Sequence, residues 1–169
     1  MRRYAIPPEV IAAAEAHNAK MMLTEIGKLP DHTGLDEPDK WKHGYVGEWG
    51  FEQLLLSMNI PYVKVNSVWA SHDFIVYMQR YDVKTASKSW YKRLMVPKNQ
   101  FSLNKDFYVG CRIIDYEYIE IHGVIPSAAL GSRQTELFGT KGVQTYAEHL
   151  SKLQPIEEHF NVQKDSLFL

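Results

Sequence analysis

A single cysteine, Cys111, occurs in 169 residues, which excludes a disulfide framework, a Cys-based zinc ribbon and an iron–sulfur cluster. It lies in Tyr108-Val109-Gly110-Cys111-Arg112-Ile113-Ile114, where a small core thiol is expected. No apolar run approaches the roughly 18 residues that a membrane helix needs. The start, Met1-Arg2-Arg3, turns quickly into Pro7-Pro8-Glu9 and lacks the apolar core of a signal peptide. Neither sign of charge prevails: 19 Lys+Arg stand against 20 Asp+Glu, so a wholly basic, histone-like binder is excluded. Missing too are the Gly-rich phosphate loop, the Gly-x-Ser-x-Gly elbow and the dinucleotide fingerprint, so no nucleotide cofactor is expected. Gly139-Thr140-Lys141-Gly142 is too short to replace the first of these. With 45% apolar and 23% charged residues, the chain reads as one cytoplasmic domain over 1–169.

Its layout is α/β. Pro7-Pro8-Glu9 opens a helix that the pattern carries to about Lys28. A polar loop from Pro30 to Lys40 follows, and the N-terminal part closes near residue 43. A second helix is predicted over Tyr45–Met58, stopped at Asn59-Ile60-Pro61. Strands are expected at Tyr62–Val68, Asp73–Met78, Arg80–Ala86, Phe107–Ile114 and Tyr116–Ile125, the last two joined through Asp115. Residues 88–100 fit either state. A closing helix is expected over Gln144–Leu153, ahead of Pro155 and a loose tail. This gives a core over 44–125, a C-terminal part over 126–169, and a mixed sheet of about five strands flanked by helices. The early helices would lie on one face and the closing helix on the other.

Charge is uneven within this frame. Between Gln79 and Asp106 lie seven Lys and Arg and one acid, a local +6 that leaves −7 for the rest. Trp90, Tyr91 and Phe101 are interleaved with these bases. A basic, aromatic stripe on a neutral protein points to a polyanion held on one face. A solvated surface loop is the plain alternative.

One short pattern carries chemistry. In Asp82-Val83-Lys84, strand alternation puts Asp82 and Lys84 on one face, with Tyr81, Val83 and Thr85 on the other. Asp73 opens the preceding apolar strand. Neighbouring carboxylates in apolar strands are costly unless a cation offsets them, and a divalent metal bridging both does so. In an antiparallel hairpin the two acids share a face only if paired residue numbers add to an odd sum. Sums of 155 or 157 bring them within roughly 5–8 Å, which requires a turn centred between Tyr77 and Gln79. Glu48 and Glu52, four apart on the second helix, are alternative third acids. Pro30-Asp31 and Pro38-Asp39 are read as decoys, and the acids and histidines of that loop as solvated. His122 is expected to be structural.

The order helix with Gly47-Glu48, then Asp73, then Asp82-Val83-Lys84-Thr85 resembles the PD-(D/E)XK nuclease superfamily. The layout is most similar to archaeal-type Holliday-junction resolvases and phage nucleases. The resemblance covers Gly44–Ala86 best and departs at His72, where a proline is usual, and at Asp82, where glutamate is commoner. It implies a restriction-endonuclease-like sheet and Mg²⁺-dependent hydrolysis of DNA phosphodiesters, with Mn²⁺ as substitute. Asp73, Asp82, the Val83 carbonyl and Glu48 would hold the metal. Lys84 would help activate water. Lys88, Lys92, Arg93, Lys98 and Gln100 would contact nucleic acid. Two active sites cutting two strands imply a homodimer. Junction, flap or end processing is favoured over sequence-specific restriction. The reading from another class is a non-catalytic nucleic-acid-binding protein in which Lys84 is tied up in a simple ion pair.

Overall fold

Residues 1–24, 38–67, 70–138 and 142–166 are described by a computed structural model. Outside them fall the end of the first predicted helix, most of the polar loop with Asp31, His32, Asp36 and Glu37, Val68, and Gly139, Thr140 and Lys141.

Strand β1 (Arg2–Ala5) precedes helix α1 (Pro8–Met22), whose first turn accepts Pro8 because its missing N–H would have no partner there. Helix α2 spans Lys40–Ser57, five residues earlier than its apolar pattern indicated. Then come β2 (Tyr62–Lys64), β3 (Phe74–Val76), β4 (Gln79–Ala86), β5 (Arg93–Pro97), β6 (Phe107–Ile114), β7 (Tyr118–Pro126), the short α3 (Ser127–Gly131), β8 (Glu136–Phe138), β9 (Val143–His149) and α4 (Ile156–Ser166).

The main sheet is mixed and six-stranded, ordered β1-β7-β6-β4-β3-β2, with β4 and β6 parallel and the other neighbours antiparallel. A second, three-stranded antiparallel sheet runs β5-β9-β8. The expected sheet of about five strands is therefore one of six with a second sheet beside it. Gln144–Leu153 is the plainest departure: most of it is β9, because Thr145 and Ala147 alternate into the interior with period two. The closing helix comes after Pro155, in the stretch expected to be a loose tail.

Alternation in β4 and β6 builds two cores. Tyr81 and Val83 join Val109, Cys111 and Ile113 against Phe51, Leu54 and Leu55 of α2, and Ile156 and Phe160 of α4 pack into the same cluster. Helix α4 thus lies on the face of the early helices, not opposite them. On the other face Tyr108 and Ile125 pack against Leu94 and Val96 of β5 and against Leu150 and Leu153. Helix α2 comes very close to the sheet because it carries glycine where they touch. A Cβ on Gly47 would stand 1.8 Å from Thr85 Oγ1, and one on Gly50 would stand 2.8 Å from Ile119.

Between β3 and β4 the chain turns in two residues, Tyr77 (φ 49°) and Met78 (φ 64°). Positive φ at both central positions is the mirror-image turn whose twist suits a hairpin. It sets the pairs Phe74↔Tyr81, Ile75↔Arg80 and Val76↔Gln79, each summing to 155. The hairpin β6–β7 turns through Asp115 and Tyr116, also at positive φ.

Candidate active site

The 155 register ends at Phe74↔Tyr81, and one residue before it Asp73 lies alongside Tyr81 and Val83 of β4, on either side of Asp82 in the chain. Backbone bonds fix Asp73 in place: its N–H donates to the Tyr81 carbonyl (2.9 Å) and its carbonyl accepts from Val65 N–H (2.8 Å). Its side chain accepts from Val83 N–H through Oδ2 (2.7 Å). Burial, then the nearby Asp82 charge, pushes the Asp73 carboxyl up to about 6, against the pull of Lys84, the Val83 N–H and Lys105.

Glu48 comes to the same place from α2. Burial pushes its carboxyl up to about 8; Asp73 is the strongest charge acting on it, and Asp82 adds to the effect while Lys64 opposes it. Glu52 is engaged elsewhere, accepting from Tyr62 Oη (2.8 Å) and Lys64 Nζ (3.0 Å). Of the two glutamates, Glu48 is the one that faces Asp73.

Asp82 is almost fully buried, at 6% exposure. Lys84 Nζ lies 2.8 Å from its Oδ2 and Lys105 Nζ lies 3.1 Å from its Oδ1. Oδ2 nevertheless accepts no well-angled hydrogen bond. Burial works against the Lys84 ammonium, but Asp82 and Asp73 together hold its pKa above the usual lysine value.

The donor chemistry suits a hard divalent cation: three carboxylates from α2, the lead into β3, and β4, mutually repelling, with one buried oxygen short of a hydrogen bond. Their geometry is not closed around an ion. Among the described residues no three acidic, histidine or cysteine side chains converge as a ready ligand set. In its place two ammonium groups sit on Asp82.

Nucleic-acid candidates separate into free and engaged. Lys88, Lys92 and Lys98 are exposed. Lys88 Nζ stands 5.4 Å from the ring of Trp90, itself 65% exposed, so a cation and an open aromatic face lie together. Lys98 Nζ reaches Gln144 Oε1 at 3.4 Å. Arg93 is held by Glu136 through two hydrogen bonds, which compete with any phosphate. Gln100 touches the site through its backbone carbonyl, 3.4 Å from Lys105 Nζ.

Lys105 is the residue that reading the chain did not single out. It was one base among seven, although it is only 7% exposed and rests against Asp82. His122 is bonded at 3.1 Å to Glu120, which Arg3 and Arg112 also hold. Cys111 is fully buried, and burial raises its thiol pKa far above the reactive range.

No family model matches this chain, and no curated protein matches it. Among solved structures it is similar to a bacterial homing endonuclease, I-Ssp6803I, at 17% identity and a TM-score of 0.46, covering 76% of this chain and 96% of that one. In this chain no helix among the described residues is long and apolar enough to cross a membrane.

Proposed function

We propose that the protein is a metal-dependent nuclease that hydrolyses DNA phosphodiester bonds at Glu48, Asp73, Asp82 and Lys84. The observation that carries this reading is a buried Asp82–Lys84 pair with the Asp73 and Glu48 carboxyls near enough to act on it and on each other, both with strongly raised pKa values. Asp73, Asp82 and Glu48, with the Val83 carbonyl, are the groups that would hold Mg²⁺ or Mn²⁺. Such an ion, when bound, activates water and neutralises charge on the phosphate and leaving oxygen.

The chain's own residues supply the rest. Asp73 is aimed by the Val83 N–H. Glu48 is carried on a helix that glycine allows to approach β4. Lys84, on the same face as Asp82, orients the attacking water or meets the charge that develops on the phosphate. Exposed Lys88, Lys92 and Lys98 hold the DNA backbone beside the site, and Trp90 offers a ring for base stacking. Phosphate contacts carry no sequence information, which suits recognition of DNA structure, such as a junction, flap or end, in a homodimer that cuts two strands.

A second reading has its own observation. The Asp82–Lys84 and Asp82–Lys105 ion pairs are what a non-catalytic DNA-binding protein would show. A gel assay separates the two. Linear, single-stranded, flapped and four-way-junction DNA are incubated with Mg²⁺ or Mn²⁺ and either wild type or an Asp82→Ala, Lys84→Ala double variant. Metal-dependent cutting lost in the variant supports the nuclease. Retarded but intact DNA supports the binding module, and neither result refutes both.

A further inference from the structure

Both oxygens of Asp82 face a lysine, so its carboxylate meets two positive charges, the charge of one divalent ion. We propose that Lys84 and Lys105 together stand in for that ion when it is absent, and that Lys105 is the one that leaves when it binds. The inference rests on the metal site proposed above and adds a residue and a motion to it.

Three observations separate Lys105 from Lys84. Lys84 is set within β4, in the middle of a continuous ladder with β6, and is held between Asp82 and Asp73. Lys105 precedes β6 in a turn, bonded to Asp82 Oδ1 and, at 3.4 Å, to the Gln100 carbonyl, with its ammonium 5.3 Å from the Tyr108 ring centre. Beside it lies a cavity of about 270 Å³ whose walls include Gln79, Leu103, Asp106, Phe107 and Ser127. Lys105 therefore lines open space into which it can withdraw, beside Asp106, which Arg80 already holds.

The arrangement also accounts for the open geometry of the acids. A carboxylate already neutralised by two ammonium groups has no need to converge with its neighbours. A buried aspartate left unpaired is expensive, so a metal-free site needs an internal counter-ion. The cost is competition: an incoming cation must displace an ammonium before it reaches Asp82 Oδ1.

Calorimetric titration with Mn²⁺ alone, without DNA, tests this in wild type, Lys105→Met and Lys105→Gln. Removing a charge in contact with Asp82 is expected to tighten Mn²⁺ binding by about tenfold or more. Lys105→Arg, which keeps the charge, should stay near wild type. The second readout needs no variant. Amine acetylation of wild type, followed by mass spectrometry, should modify Lys105 slowly without metal and several times faster with Mn²⁺, as the side chain moves to the cavity. Equal or weaker Mn²⁺ binding by both neutral variants overturns the proposal, and so does a labelling rate that Mn²⁺ leaves unchanged. Cleavage enters neither measurement. Protein that binds Mn²⁺ in this way but cuts no DNA refutes the nuclease alone, whereas no Mn²⁺ uptake by any form refutes both.

Discussion

Replacing Gly47 by alanine tests how the helix acid is delivered. The new Cβ would fall 1.8 Å from Thr85 Oγ1, where real Cβ contacts stay beyond 3.0 Å, so helix and strand must part by about 1.2 Å or Thr85 must leave its rotamer. Thr85 is short and β-branched, and has little freedom to move. Overpacking of this kind costs typically 1–3 kcal/mol, and the severity of the overlap argues for about 3. For a chain of this size that is a fall in Tm of about 6–12 °C. Thr85→Ala removes the clashing atom and leaves the Cβ of residue 85 at 3.1 Å, a tight contact that a shift of a few tenths of an ångström relieves. It also removes a buried hydroxyl that has no hydrogen-bond partner, so alone it should cost about 1 kcal/mol or less. The double variant should therefore recover about half or more of the loss, a coupling that thermal denaturation of the four proteins measures directly. Because Glu48 is the next residue, Gly47→Ala should also slow cleavage about a hundredfold at a temperature where the protein is folded, as misplacement by about 1 Å does elsewhere. A Gly47→Ala protein that melts with wild type, or losses that simply add in the double variant, would refute the account of how α2 meets β4.

Three other outcomes follow from the structure. Glu48→Gln should lower cleavage by about a hundredfold or more, whereas Glu52→Gln loosens only the Tyr62 and Lys64 contacts and should cost about 1 kcal/mol with cleavage retained; equal effects in the gel assay would remove Glu48 from the site. Burial lowers the His159 pKa to about 4, below the unfolded value of about 6.5, so the unfolded chain binds more protons between those values. That contribution is fully present above pH ~6.5 and is lost as pH falls toward ~4, by up to about 3 kcal/mol, and the stability of wild type relative to His159→Gln should rise with pH by about that amount across the window, as paired Tm–pH profiles measure. Met78, 94% exposed and at φ 64°, should gain about 0.5–1 kcal/mol on replacement by glycine, a rise in Tm that an unstrained turn would not show.

What the chain disclosed by itself depended on how local the signal was. Alternation in Gln79–Ala86 was enough to put Asp82 and Lys84 on one face, and parity of register was enough to state where the turn must fall. The choice between Glu48 and Glu52 could not be read, since residues four apart share a helix face. It is the Tyr62 and Lys64 side chains, ten and twelve residues beyond Glu52, that draw Glu52 away. Gln144–Leu153 misled because Ala, Glu and Leu favour a helix, whereas pairing with β5 and β8 and the burial of Thr145 and Ala147 select the strand. Lys105 was invisible for a topological reason. Parallel pairing sets Tyr81 beside Phe107 and Asp82 beside Tyr108, so the residues just before β6 arrive next to the start of β4 after a crossover of some twenty residues. No local pattern spans such a connection.

The tight turn at Tyr77-Met78 has a consequence for how the gene can vary. Every pair in the hairpin adds to 155, and one residue gained or lost between the strands would change that sum by one and turn one aspartate to the far face. Single substitutions at the tip leave the parity intact, even where they alter strain. The tip at Tyr77-Met78 is thus a place where letters are negotiable and length is not. A scan of single-codon insertions and deletions should mark it as a sharp gap in tolerance, with Met78 at its centre among the most freely exchanged residues.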